Sequence, residues 1–280
     1  MKPFSRIQKQ ALRLAFGAAM LMPGAAYAQD AGLPASILAK KTITYCSSLT
    51  QPPMEFVDAQ QKMEGADIEM GNELAKRLGV QAKWENIPFA GLIPALQAGQ
   101  CDAIISQLFI KPTRLQVIDE LPYMYSQEII LFKKGSPTVD TLEALSGKKV
   151  ATVTGTTATL LLQAANEKLK KAGEKPIDIV EFPTGTAALQ QLQYGEVAAY
   201  GVAYEIGLYY DQTDPNAFQI GGKPYFKILT GIGIRKDEPG LSQALESKLA
   251  DMMKDGSYEA IFKKWNLTTD MLPEPMKTQK

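Results

Sequence analysis

The segment IISQLFIKPTR (residues 104–114) joins an apolar run to a helix start at Pro112. An apolar run that ends in small and polar residues predicts a buried strand ending at the rim of a cleft. Proline is favoured in the first turn of a helix, so residues 112–114 predict a helix directly after the strand. Helix N-terminal N–H groups and a guanidinium both bind anions, which makes Arg114 a candidate carboxylate anchor.

Strand and helix patterns alternate on both sides of this segment. Before and within it, strands are predicted at residues 42–46, 81–86 and 102–106, with helices at 67–78 and 89–98 between them. After it, strands are predicted at 129–133, 149–153, 178–182, 197–202 and 228–235, and helices at 141–145, from 157 to about 171, 186–194, 240–254 and 258–265. Two successive β-α-β-α-β units predict an α/β fold with mostly parallel sheets flanked by helices.

The first 28 residues have the pattern of a cleaved secretory signal peptide. Four basic residues precede an apolar run, and Ala26-Tyr27-Ala28 matches an A-x-A cleavage site. The alternative, a membrane anchor, is disfavoured because the apolar run is short for a bilayer span. We therefore expect an exported, periplasmic protein whose mature chain has 252 residues.

Composition excludes several functional classes. The predicted mature chain keeps 26 basic against 30 acidic residues, a net charge of −4, without the basic density typical of nucleic-acid binding. Histidine is absent, which excludes His-based nucleophile pairs and His-based metal sites. We expect no cofactor and no bound metal. Cys46 ends one predicted strand and Cys101 begins another, so parallel neighbouring strands would hold the two sulfurs apart, and we expect no disulfide.

Several segments, in order and spacing, resemble the periplasmic amino-acid-binding proteins of ABC importers, family 3 of the bacterial solute-binding proteins. They are GADIEM with LAKRLG, FAGLIPALQAG with CDAIIS, LPYMY, LEALSGKKV with GTT, and DGSY with KKW. The resemblance covers nearly all of the predicted mature chain. It implies a two-lobed fold in which two strands cross between lobes and a ligand binds between them. It also implies lobe 1 at residues 29–126 plus 230–280, and lobe 2 at residues 127–229.

The resemblance also assigns roles to particular residues. Arg114 matches the arginine that grips the ligand carboxylate, and Thr156 and Thr157 match a lobe 2 loop that donates hydrogen bonds to the same group. The two threonines are also candidates to cap the following helix. Phe89 matches an aromatic that packs on the ligand, although it could equally hold its own helix in place. Ser106 and its neighbour Gln107 end the strand at the same cleft.

Other positions depart from the family pattern. Gln51 stands where an aromatic is usual, Met54 where Phe is common, and Ser48 where an acid is often seen. Phe109 occupies the place of a small hydroxyl residue, and Ala203 the place of the aspartate that binds the ligand α-amine. A buried ammonium opposite Ala203 would lack its partner, at a cost of about 2–5 kcal/mol.

Two explanations for Ala203 remain open from the sequence. In the first, the ligand lacks a free α-amine, as in an apolar or aromatic acid, an N-substituted amino acid or an opine-like conjugate. In the second, another acid replaces the aspartate, with Glu55 and Glu205 as the nearest candidates. We expect a pocket made more apolar by Met54, Phe89, Phe109 and Tyr204.

The leading functional prediction is a monomeric binding protein, not an enzyme, that delivers a small carboxylate to an inner-membrane ABC permease. Two alternatives stay open. One is an enzyme resembling cyclohexadienyl dehydratases, which would need a general acid in the cleft that the mapped positions do not offer. The other is a ligand sensor for a receptor, which neighbouring genes for a permease and an ATPase would disfavour.

Overall fold

The fold of the protein, taken from a computed structural model that describes residues 32–280, is built on one eight-stranded sheet. The predicted signal peptide lies outside these residues. The first half of the chain contains α1 (Ala35–Lys40), β1 (Thr42–Ser47), β2 (Thr50–Gln51), β3 (Glu55–Val57), β4 (Met63–Glu64), α2 (Ala66–Arg77), β5 (Gln81–Asn86), α3 (Leu92–Gln97), β6 (Ala103–Phe109), α4 (Pro112–Leu115) and β7 (Asp119–Lys133). The second half contains β8 (Lys149–Val153), α5 (Thr157–Lys171), β9 (Asp178–Phe182), α6 (Gly185–Tyr194), β10 (Ala199–Ala203), α7 (Tyr204–Thr213), β11 (Phe218–Ile234), α8 (Pro239–Asp255) and α9 (Ser257–Lys264), with single 3₁₀ turns at Phe89–Gly91, Glu143–Leu145 and Thr268–Asp270.

The strand order β5-β1-β6-β11-β7-β10-β8-β9 confirms the predicted α/β class with two lobes. In the first lobe β5 and β6 pair parallel with β1, and in the second lobe β9 and β10 pair parallel with β8. The long strands β7 and β11 lie between the two groups and pair antiparallel with each other. They therefore connect the lobes, and the predicted lobe boundaries fall inside these two strands.

Both connecting strands are longer than predicted. The predictions were too short because residues that normally disfavour strands lie within them. Pro122 lies in β7, and Gly222 and Pro224 lie in β11. The β7–β11 register shifts between Gly221 and Tyr225 and again before Ile228. These irregularities accommodate the proline and the positive φ of Gly222, 69°. A sequence pattern does not predict a strand that continues through proline and glycine residues.

A small antiparallel sheet, β2-β3-β4, was not predicted. It contains the Gln51-Pro52-Pro53 turn, whose Pro52–Pro53 peptide bond is cis. Gly65 joins this sheet to α2 with a φ of 128°, and a Cβ there would lie 2.1 Å from the Met54 carbonyl oxygen. Only glycine fits this close approach of two backbones.

Each lobe has an apolar core, and a third apolar cluster contains residues of both lobes, such as Leu92 and Ala151. The first packs Ile43, Leu74 and Leu245 against the sheet, and the second packs Phe132, Val150 and Leu162. Among residues 32–280, no helix has the length and the apolar content that crossing a bilayer requires.

The expectation that Cys46 and Cys101 stay apart was wrong. The two residues form a disulfide with an S–S distance of 2.07 Å and a Cα–Cα distance of 5.7 Å. Cys101 is not part of β6, because the chain bends at Asp102 before the strand begins at Ala103. The parallel register is also staggered, so that Cys46 lies opposite Ile104, the second residue of β6. Cys46 is therefore near the start of β6 and close to Cys101, and the assumption that the strand ends hold the two sulfurs apart failed.

Candidate functional site

A cavity lies where the carboxyl ends of β6, β8 and β10 meet. Ligands of open α/β sheets bind at this end of the strands. Eight of the nine residues singled out from the sequence line it: Gln51, Phe89, Gln107, Phe109, Arg114, Thr156, Thr157 and Ala203. The ninth, Ser106, lies outside. The remaining lining residues are Glu128, Val153, Ala158, Tyr200, Gly201 and Val202.

Arg114 points its guanidinium into this cavity from α4. The residue is only 7% exposed. Its Nη1 donates to the Phe109 carbonyl at 2.8 Å and its Nη2 to the Gly155 carbonyl at 3.2 Å, and the guanidinium carbon lies 5.4 Å from the centre of the Phe89 ring. Burial lowers the pKa of Arg114 to about 10, partly offset by the charge of Glu120. The guanidinium is thus oriented by carbonyls and an aromatic face.

Phe89 therefore combines the two roles that the sequence left open. It begins the turn Phe89–Gly91 ahead of α3, and it lines the cavity while packing against the Arg114 guanidinium. A flat aromatic face beside a cation holds that cation in one orientation.

Thr156 and Thr157 stand at the start of the fifteen-residue helix α5. The Thr156 hydroxyl donates back to the Val153 carbonyl at 2.7 Å and makes no capping hydrogen bond. The buried Thr157 hydroxyl has no hydrogen-bond partner among the described residues. Because the side chains do not cap the helix, its N-terminal dipole remains available to an anion in the cavity.

Ser106 and Gln107 serve networks behind the cavity wall. The Ser106 hydroxyl donates to Glu55 Oε1 at 2.7 Å. The Gln107 amide Nε2 donates to Glu205 Oε2 at 2.7 Å, and its backbone N–H to Asp67 Oδ2 at 2.8 Å. Gln107 thus lines the cavity, but its amide nitrogen donates to a buried acid.

The two acids proposed from sequence to replace the family aspartate do not line the cavity. Glu55 is held by Ser106 and Ser48, and burial together with the charge of Asp67 raises its pKa well above the ordinary value. Burial raises the pKa of Glu205 to about 8, and its carboxylate accepts from Gln107 and Ser126. One oxygen of each carboxyl group is hydrogen-bonded away from the cavity, and the other is buried without a partner among the described residues.

Glu128 is the acid of the cavity, and sequence reasoning missed it. It lies on β7 directly opposite Ala203 of β10 in the antiparallel ladder. It is 2% exposed, and its Oε2 is buried with no hydrogen-bond partner among the described residues. Burial, and then the charge of Glu205, raises its pKa to about 8, while Lys111 acts in the opposite direction. A lone acid directly before the apolar run at 129–132 was the only available signal.

The apolar part of the wall differs from the prediction. Phe89 and Phe109 line the cavity as expected, but Met54 packs in the first-lobe core and Tyr204 does not line the cavity. Tyr200, unpredicted, lines it from β10. Among residues 32–280, no group of three or more acidic or cysteine side chains is placed to hold a metal ion.

Hydrogen bonds join the two lobes around the cavity. Arg114 of the first lobe reaches the Gly155 carbonyl of the second, and the Gly185 N–H at the start of α6 donates to Thr50 Oγ1 at 3.2 Å. The lobes are therefore in contact across the cavity mouth, as in a closed binding protein.

Comparison with known proteins agrees with this geometry. Residues 43–268 match the family of bacterial extracellular solute-binding proteins, family 3. The chain is 33% identical over 239 residues to a lysine/arginine/ornithine-binding periplasmic protein of Escherichia coli, covering 80% of this chain and 87% of the relative.

Solved structures show the same fold. A mutant of ArgBP from T. maritima superposes with a TM-score of 0.75 at 29% identity, covering 82% of this chain and 97% of its own. The ancestral amino acid-binding protein AncCDT-1, described as a precursor of cyclohexadienyl dehydratase, superposes with a TM-score of 0.73 at 30% identity, covering 82% and 97%.

Proposed function

Because the chain belongs to family 3 of the bacterial extracellular solute-binding proteins, we propose that it is the periplasmic solute-binding component of an ABC importer. It captures a small carboxylate-bearing solute between its lobes and delivers it, as a monomer, to an inner-membrane permease. The relatives support this role through their names, since they are periplasmic amino-acid-binding proteins.

The observation that carries the proposal is the state of Arg114. Its guanidinium is buried in the cavity, and among residues 32–280 the arginines that form ion pairs are Arg77 and Arg235. A buried cation without a counter-ion is costly. A ligand carboxylate would supply the missing charge through a bidentate pair, assisted by the N-terminus of α5.

Closure follows from the placement of the groups around the ligand. Arg114 belongs to the first lobe, and Thr156, Thr157 and Gly155 belong to the second. A carboxylate held by both sets of donors stabilises the arrangement in which the lobes touch, and its differential affinity for that arrangement drives the hinge. The long strands β7 and β11 carry the hinge, with their register shifts as the sites of bending.

The remainder of the ligand is apolar, aromatic or neutral and polar. Phe89, Phe109, Tyr200 and Val202 supply apolar wall, and Gln51 supplies an amide. Ala203 places no carboxylate on β10, so the solute is an amino-acid derivative, an opine-like conjugate or an apolar or aromatic acid rather than a standard α-amino acid. Tight binding of glutamate or arginine in calorimetry would contradict this choice.

A thermal-shift screen over amino acids, opines, and aromatic and aliphatic carboxylates tests the proposal. A ligand that binds only the folded protein raises the melting temperature, because it stabilises the folded state by about 2.7 kcal/mol when its concentration is a hundred times Kd. Arg114→Ala should abolish the shift from every hit. A shift that survives this substitution would refute the carboxylate anchor.

Glu128 gives the dehydratase alternative a specific basis. That chemistry needs a general acid in the cleft, and burial keeps Glu128 protonated at neutral pH. Incubating the purified protein with prephenate or arogenate, and following product release, separates the two functions. Turnover that Glu128→Gln abolishes would favour the enzyme, and the absence of turnover would favour the binding protein.

A further inference from the structure

A buried guanidinium and a buried carboxyl group line the same cavity, and neither forms an ion pair within the described residues. Arg114 is oriented by two carbonyl oxygens but forms no ion pair among residues 32–280. The Glu128 Oε2 atom has no hydrogen-bond partner there. Buried oxygens of Glu55, Glu120 and Glu205 also lack partners there, but Glu128 is the acid that lines the cavity. A guanidinium and a carboxyl group in one cavity are complementary to a ligand that bears both charges.

The register of the ladder defines where Glu128 acts. Ala203 of β10 and Glu128 of β7 are direct cross-strand partners. The Cβ atoms of such a pair point to the same face of the sheet and lie about 4.5–5.5 Å apart. A glutamate is one methylene longer than an aspartate, so its carboxylate can reach over the alanine methyl. The acid absent at position 203 is therefore present on the neighbouring strand.

We propose that Glu128 binds a protonated nitrogen of the ligand from β7, and that it is the specificity residue of this site for nitrogen-bearing carboxylates. This inference rests on the proposed function, because it requires the ligand carboxylate to lie on Arg114. Within the ligands named above, it selects amino-acid derivatives, such as those with a substituent on the nitrogen, and rejects nitrogen-free acids.

The neighbouring charges agree with this assignment. Glu205 on α7, which accepts hydrogen bonds from Gln107 and Ser126, raises the pKa of Glu128 through its negative charge. Lys111, at the β6–α4 junction, lowers the pKa of Glu128 through its positive charge. A ligand cation beside Glu128 favours the charged form of that carboxyl group, while Glu205 and Lys111 act on it from outside the cavity lining. Arg114 binds the ligand carboxylate in the same cavity.

Matched ligands test the inference by calorimetry with the full mature protein. The panel contains the N-methyl forms of phenylalanine, leucine, glutamine and arginine and, for each, the corresponding acid in which hydrogen replaces the amine. We expect nitrogen-bearing members to bind at least about 30-fold more tightly than the matched nitrogen-free acids. Glu128→Gln should remove this preference by weakening only the nitrogen-bearing members.

Two further variants control for structure. Asp119→Asn neutralises a buried acid that lies outside the cavity and pairs with Lys236, and it should leave the preference intact. Adding Ala203→Asp to Glu128→Gln returns a carboxylate to β10 and should restore a preference for the nitrogen-bearing members. A ligand-free melting curve of each variant verifies that it is folded.

The outcomes separate this inference from the proposed function. Carboxylates that bind with no preference for nitrogen, or a preference that survives Glu128→Gln, would overturn the role of Glu128 and leave the carboxylate site standing. If no nitrogen-bearing member of the panel binds, the inference is also overturned. Binding that does not depend on Arg114 would refute the proposed function itself.

Discussion

Replacing Arg114 by lysine should weaken ligand binding strongly while leaving the ligand-free fold in place. A guanidinium has five N–H donors, and two of its nitrogens already donate to Phe109 and Gly155. The remaining donors can form a bidentate pair with a carboxylate. Lysine keeps the charge but is a single point of contact, so the pair is reduced to one hydrogen bond.

The size of the effect follows from the hydrogen bond that is lost. A hydrogen bond to a charged group contributes about 1.5–3 kcal/mol, which corresponds to about a 10- to 150-fold increase in Kd. The burial of Arg114, 7% exposed, places the loss in the upper part of this range, because water cannot replace the missing donor.

Arg235→Lys is the matched control. Arg235 also donates to backbone carbonyls, those of Leu96 and Cys101, but it does not line the cavity. Both variants undergo the same chemical change, so calorimetry with any hit of the thermal-shift screen should show weakened binding for Arg114→Lys alone. Equal Kd values for wild type and Arg114→Lys would refute the bidentate grip.

Two other predictions concern stability. Burial raises the pKa values of Glu120, Glu128 and Glu205 to about 8, so their contribution to the free energy of unfolding is fully present below the unfolded value near 4.5 and is lost as pH rises through 8. The ligand-free melting temperature should therefore fall from pH 5 to pH 8, with each acid removing at most ~1.4 kcal/mol of stability per pH unit. A melting temperature that rises over this range would contradict the assignment. The Cys46–Cys101 disulfide spans 55 residues, so the double Cys→Ser variant should lose up to ~4 kcal/mol in urea unfolding, and an unchanged midpoint would show that the bond contributes nothing.

Local patterns were sufficient for most of the helices and for the short strands. The helix prediction at 67–78 differs from α2 (Ala66–Arg77) by one residue at each end, because an apolar face of period 3.6 and a following glycine are both local features. The strands at 81–86, 149–153 and 178–182 agree for the same reason. The long strands β7 and β11 were underestimated because pairing across the sheet overrides Pro122 and Pro224.

The candidate site shows the same division. Arg114, Phe89 and the threonine pair were found because they follow strand ends or open helices, and these local features determine where such side chains point. Glu128 was missed, and Glu55 and Glu205 were named instead, because sequence distance does not tell which acid faces a cavity. The prediction that Cys46 and Cys101 stay apart was wrong for a related reason. A bend at Asp102, which the sequence pattern does not indicate, helps to decide where Cys101 lies.

The sequence by itself determined the α/β class, the family, and the arginine at the end of the segment 104–114, since each depends on residue types at short spacing. Only the tertiary structure decided that Ala203 faces Glu128. The partners of an antiparallel ladder are separated by 75 residues of chain, and their register depends on how two strands slide against each other during packing. The charge that accompanies the carboxylate anchor is therefore a property of the assembled sheet.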